Sequence, residues 1–78
     1  MEHVELVQEL KCDYEGEEYL IEIFERADGS HFAQTIFSPG DVIISDGVSL
    51  EEVLFKHQDL LPLAIRSRQM HFPSRTLN

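Results

Sequence analysis

The stretch Ser49–Arg68, SLEEVLFKHQDLLPLAIRSR, constrains the fold most, because it holds the one strong helix pattern and the densest run of large apolar residues. Leu50, Val53, Leu54, His57, Leu61, Ala64 and Ile65 recur at three- and four-residue steps, which places them on one helical face. Glu51, Glu52, Lys56, Gln58 and Asp59 fall mainly on the other. Ser49 followed by Glu52 predicts a capping box: the serine oxygen accepts from the Glu52 N–H and the glutamate reaches back to the serine N–H. Val48, just before the cap, is placed to staple onto Val53. Pro62 interrupts the pattern, since it lacks a donor and crowds the preceding turn. A kink or break is therefore expected near Leu61, with Asp59 capping a second helical piece that runs through Arg68.

A single amphipathic helix must bury its apolar stripe against something, and the residues before it read as strands. Val4–Tyr14 fits both a strand, with Val4, Leu6, Leu10 and Cys12 on one face, and a helix; strand is preferred for Gln8–Tyr14 because Glu15-Gly16-Glu17 supplies a turn into a segment of clear β composition. In Tyr19–Arg26 the alternation puts Tyr19, Ile21 and Ile23 on one face and Leu20, Glu22 and Phe24 on the other. Asp28-Gly29 predicts a tight hairpin turn into His31–Phe37, whose faces are His31, Ala33, Thr35, Phe37 and Phe32, Gln34, Ile36. Ser38-Pro39-Gly40-Asp41 fits a type II turn into the short strand Val42–Ser45, which Asp46-Gly47 closes. The expected fold is α+β: an antiparallel meander of three or four strands with one main C-terminal helix packed on one face. At 78 residues the chain is read as a single small domain, 1–78, with a loosely ordered tail from about residue 69. One helix covers one sheet face, so the face carrying Leu20, Glu22 and Phe24 is left to solvent or a partner.

The formal charge of -9 is unevenly spread. Residues 1–55 hold 14 acids and 2 bases, net -12, whereas 56–78 hold 1 acid and 4 bases, net +3. An acidic body repels phosphate, which argues against nucleic acid as a partner and leaves only Lys56, Arg66, Arg68 and Arg75 to contact one. No apolar run approaches the roughly 18 residues of a membrane span, and the acid-bearing N-terminus lacks the basic and apolar regions of a signal peptide; the expectation is a cytoplasmic protein without membrane contact.

Catalytic and metal chemistry find little support. Cys12 is the sole cysteine, which excludes an intramolecular disulfide, and in a strand it reads as a small half-buried side chain. His57 lacks a second ligand three or four residues away and reads as a core-edge histidine with one satisfied nitrogen. His3, His31 and His71 lie in separate segments. The acidic run Asp13–Glu18 lacks the spacing of a calcium loop and reads as a charged turn. No enzymatic activity, cofactor or metal is expected.

From Tyr19 onward the hairpin, Phe37-Ser38-Pro39-Gly40, the short strand, Asp46-Gly47 and then Ser49-Leu50-Glu51-Glu52-Val53-Leu54 form an order that resembles the HicB-like antitoxin domains. Phe72-Pro73-Ser74 extends the likeness, which covers about Tyr19–Ser74. The resemblance implies a β-β-β-α fold and a partner-binding protein without catalysis. The chain departs from it in having Ser-Pro-Gly after Phe37, where those domains have Pro-Asp, and only scaffold positions match. The leading expectation is a small non-catalytic interaction module that binds a protein partner or a second copy through a sheet edge or through the face around Leu20, Glu22 and Phe24. The alternative is an antitoxin-like or nucleic-acid-associated regulator that uses the C-terminal bases Arg66, Arg68 and Arg75.

Overall fold

Along residues 3–71, the part that the computed structural model describes, β1 (Val4–Tyr14), β2 (Glu17–Arg26), β3 (His31–Ser38) and β4 (Asp41–Gly47) are followed by α1 (Leu50–His71). The strands form one antiparallel sheet in the order β1-β2-β3-β4, the meander expected from short turns between successive strands. The ambiguous N-terminal segment is strand throughout Val4–Tyr14, and β4 runs from Asp41 to Gly47, beyond the expected Val42–Ser45.

Each turn has its own cause. Glu15 and Gly16 both take positive φ, 52° and 83°, the conformation of a two-residue hairpin loop whose twist matches that of the strands it joins. In the Ala27-Asp28-Gly29 loop only Gly29 is left-handed; its N–H donates to the Arg26 carbonyl at 2.9 Å, and the Arg26 N–H donates to the Ser30 carbonyl at 2.8 Å. That is a type I turn followed by a glycine bulge, a longer loop than an Asp-Gly pair alone predicts. Pro39-Gly40 makes the expected type II corner.

A bulge in β1 overturns one expected face. Register slips between Leu6, opposite Phe24, and Gln8, opposite Ile23, so that Val7 is the extra residue. Leu6 and Val4 therefore share a face with Phe24, whereas Leu10 and Cys12 share the other with Ile21 and Tyr19. The alternation in sequence had joined all four, because an inserted residue inverts every side chain beyond it.

The helix runs unbroken through Pro62 to His71, so neither the break near Leu61 nor a second piece capped by Asp59 is formed. Leu61 and Ile65, 1% and 3% exposed, anchor the helix on both sides of the proline, and the exposed position of Gln58 leaves water access near the carbonyl that Pro62 cannot serve. The helix also continues past Arg68, which shortens the expected tail; residues 72–78, with Arg75, lie outside the described residues. At the N-terminus Glu52 N–H donates to Ser49 Oγ at 3.1 Å, as a capping box requires. The return bond goes one residue further back than expected, from Val48 N–H to Glu52 Oε1 at 2.9 Å. Val48 is 78% exposed and does not staple onto Val53.

The helix lies across β4 and β3 and reaches β2. Ile21, Ile23 and Ala33 meet Val53, Leu61 and Ile65 in the core. Gly47 permits this approach, because a Cβ there would stand 3.1 Å from the Val53 backbone nitrogen. No helix of the described residues is long and apolar enough to cross a membrane.

Candidate functional site

Two places draw attention, one inside the sheet–helix layer and one on the sheet face that the helix leaves open. Inside, His57 is fully buried, and both ring nitrogens are satisfied: Nε2 lies 2.9 Å from Thr35 Oγ1 and Nδ1 lies 2.9 Å from Ser45 Oγ. The sequence predicts a core-edge residue with one bonded nitrogen, so the structure places it deeper and bonds it more fully. Thr35 and Ser45 face inward at 1% and 8% exposure. They are opposite Ile43 and Ala33 in the β3–β4 ladder, hence on the helix side. Burial holds the His57 pKa below its usual value, so the ring is neutral near neutrality. One nitrogen then donates to a hydroxyl and the other accepts from one, and a hydroxyl can serve either tautomer. Ser45 Oγ and His57 Nδ1 stand at the distance of a nucleophile and its base, but the pair is sealed within the core and Thr35 occupies the position where an orienting acid would sit. The trio cross-links β3, β4 and α1. Its signal in sequence is a polar residue on each of three inward faces, visible only once those faces are known to meet. Elsewhere, no three metal-ligating side chains converge among the described residues.

The second place is the open face. β2 presents Leu20, Glu22, Phe24 and Arg26 to it, as the alternation predicts, and the register brings Phe32, Gln34 and Ile36 from β3 and Val42, Ile44 and Asp46 from β4 beside them. Phe24 and Phe32 stack at 5.0 Å between centroids, with the Arg26 guanidinium 4.6 Å from the Phe32 ring. Arg26 Nη2 also pairs with Asp46 Oδ1 at 2.8 Å, and Gln34 Nε2 donates to Glu22 Oε1 at 2.9 Å. Beyond these polar ties the apolar side chains are uncovered: Ile36 is 55% exposed, Ile44 54% and Leu6 46%, with Val42 and Leu20 close behind. On β1 and distal β2 the same face carries Glu9, Lys11, Asp13 and Glu18.

Of the basic candidates, Arg68 is firmly engaged within the molecule. Arg68 grips Asp41 through two bonds, Nε to Oδ2 at 2.9 Å and Nη2 to Oδ1 at 2.6 Å, while its guanidinium lies 4.2 Å from the Phe37 ring and Nη1 donates to the Ala64 carbonyl. The bond to Arg68 holds the Asp41 carboxyl below the usual range. Arg66 is exposed, and Tyr14 and Glu15 at the tip of the first hairpin are near enough to raise its pKa. Neither arginine lies on the open face with Leu20, Glu22 and Phe24, so the residues singled out in sequence divide between two separate regions. No protein-family model, curated protein or solved structure matches the chain.

Proposed function

We propose that the chain is a small non-catalytic interaction module that binds a protein partner through its open sheet face. The observation that carries this reading is the apolar ground of Leu6, Leu20, Ile36, Val42 and Ile44, all more than a third exposed around the Phe24–Phe32 stack. Large apolar side chains gathered uncovered on one side of a sheet are a mark of a docking site. The β2–β3–β4–α1 order is also that of the HicB-like domains that the sequence resembles, whose role is partner binding without catalysis. A cytoplasmic location belongs to the same proposal. The nucleic-acid alternative has less behind it, because Arg68 is committed to Asp41 and Phe37.

The test compares the wild type with Ile36→Ser/Ile44→Ser on the sheet and with Phe55→Ser/Leu63→Ser on the outer side of the helix. A partner recovered with the wild type, purified and re-bound in calorimetry, is expected to lose the sheet variant and to keep the helix variant. Binding that survives the sheet changes and disappears with the helix changes overturns the proposal.

A further inference from the structure

We propose that the open face takes a basic amphipathic helix of a protein partner, its apolar stripe on the β3–β4 half and its Lys/Arg residues over β1 and β2; this rests on the preceding reading and names the partner's chemistry. The face is divided by charge. Its β3–β4 half offers Ile36, Val42 and Ile44 with a single carboxylate, Asp46, whereas the β1–β2 half sets Glu9, Asp13, Glu18 and Glu22 beside the apolar Leu6 and Leu20. With Asp46 that makes five carboxylates against two cations, Lys11 and Arg26, and Arg26 is already tied to Asp46 and to Phe32.

The register adds an independent sign. Glu9 stands directly opposite Glu22, and Asp13 directly opposite Glu18, on this same open face. Like charges facing each other across strands destabilise a sheet; Glu5 opposite Glu25 makes one such pair on the other face, whereas the open face holds two, with Lys11 the one cation of β1 among their four acids. A cationic partner removes that repulsion on binding. Anionic lipid and nucleic-acid phosphate would increase it, and so would a second copy stacked face to face, since each brings negative charge to the same place.

Geometry favours the face over the edge. Four strands at about 4.8 Å spacing give a surface roughly 14 Å across, against the ~10 Å diameter of one helix with its side chains, so one helix spans most of it, as α1 on the other side lies across β4 and β3 and reaches β2. The β1 edge is bent by the Val7 bulge, which discourages strand addition there.

The experiment titrates two synthetic helical peptides with the same apolar pattern, one with lysines and one with glutamates on the polar side, into the full chain at low and physiological salt. The lysine peptide is expected to bind at the lower salt and to weaken at least about tenfold with Ile36→Ser/Ile44→Ser. Binding should persist with Phe55→Ser/Leu63→Ser. Glu9→Gln/Glu22→Gln should weaken binding several-fold, flatten its salt dependence and raise the stability of the free protein. Equal binding of the glutamate peptide, indifference to the isoleucine changes, or no binding of either peptide overturns the proposal. A dimer in sedimentation that dissociates with Ile36→Ser/Ile44→Ser also overturns it, by making a second copy the occupant, while leaving the sheet as the interaction surface. If those isoleucine changes alter neither peptide nor partner binding, both readings fall together.

Discussion

His57 shows how one residue sets the chemistry of a core that is otherwise apolar. A neutral imidazole between two hydroxyls keeps all three polar groups bonded where water does not reach. Its folded pKa is depressed, so below the ordinary value of about 6.5 the unfolded chain binds the extra proton first, and stability falls as the pH drops through that value. The expected slope is at most about 1.4 kcal/mol per pH unit. Urea titrations at pH 7.5 and 5.5 should show this loss in the wild type and a smaller one in His57→Phe, a variant less stable at both because Thr35 and Ser45 are left without their partner. Asp41 acts in a lower window: its depressed pKa gives stability that is present above about 3.8 and lost as pH falls further. Two smaller contacts give sharper tests. Ser49→Ala should cost about 1 kcal/mol in denaturant titration through the lost cap. Gly47→Ala should cost about 1–3 kcal/mol, since its methyl group would press on the start of the helix, and equal stability would show that α1 can retreat from β4 without loss.

At the level of elements, α1 tolerates a proline because packing outweighs propensity. Pro62 forgoes one backbone bond, while the helix is held by Val53, Leu61 and Ile65 in the core and clamped at its end by Arg68 on Asp41. Pro62→Ala should therefore stabilise the protein by up to about 3 kcal/mol, less whatever the half-buried ring contributes by contact; circular dichroism melts measure it. The helix, the strand faces of β2, β3 and β4 and the capping serine were legible in sequence, since each follows from period and turn chemistry. The bulge at Val7 was not, because an added residue leaves no compositional trace until the partner strand's register is known. Nor was the continuity of the helix: the rule that proline ends helices is local, and the anchors that overrule it are on other elements. The Thr35–His57–Ser45 contacts span 22 and 12 residues, distances at which single-chain periodicity is silent.

For the whole molecule, the proposal of protein over phosphate recognition rests on an acidic, partly apolar sheet face and on Arg68, which Asp41 and Phe37 hold elsewhere. A fluorescence titration with duplex DNA and single-stranded RNA should find no appreciable binding near physiological salt, and micromolar binding that persists there would reverse the ranking. The open face itself was legible as a consequence of having one helix and one sheet. Its opposed carboxylates were not, because they depend on which residues of β1 stand across from β2.

The position of β1 at the end of the meander has a kinetic consequence. Its strand pairing is with β2 alone, whereas the helix settles on β3 and β4, where His57 finds both hydroxyls. The barrier to folding should be crossed as α1 docks on the β3–β4 hairpin, with the first strand zipping on afterwards along a chain of neighbouring contacts. In stopped-flow measurements Cys12→Ala is then expected to hasten unfolding and leave the folding rate nearly unchanged, while Ile65→Val slows folding.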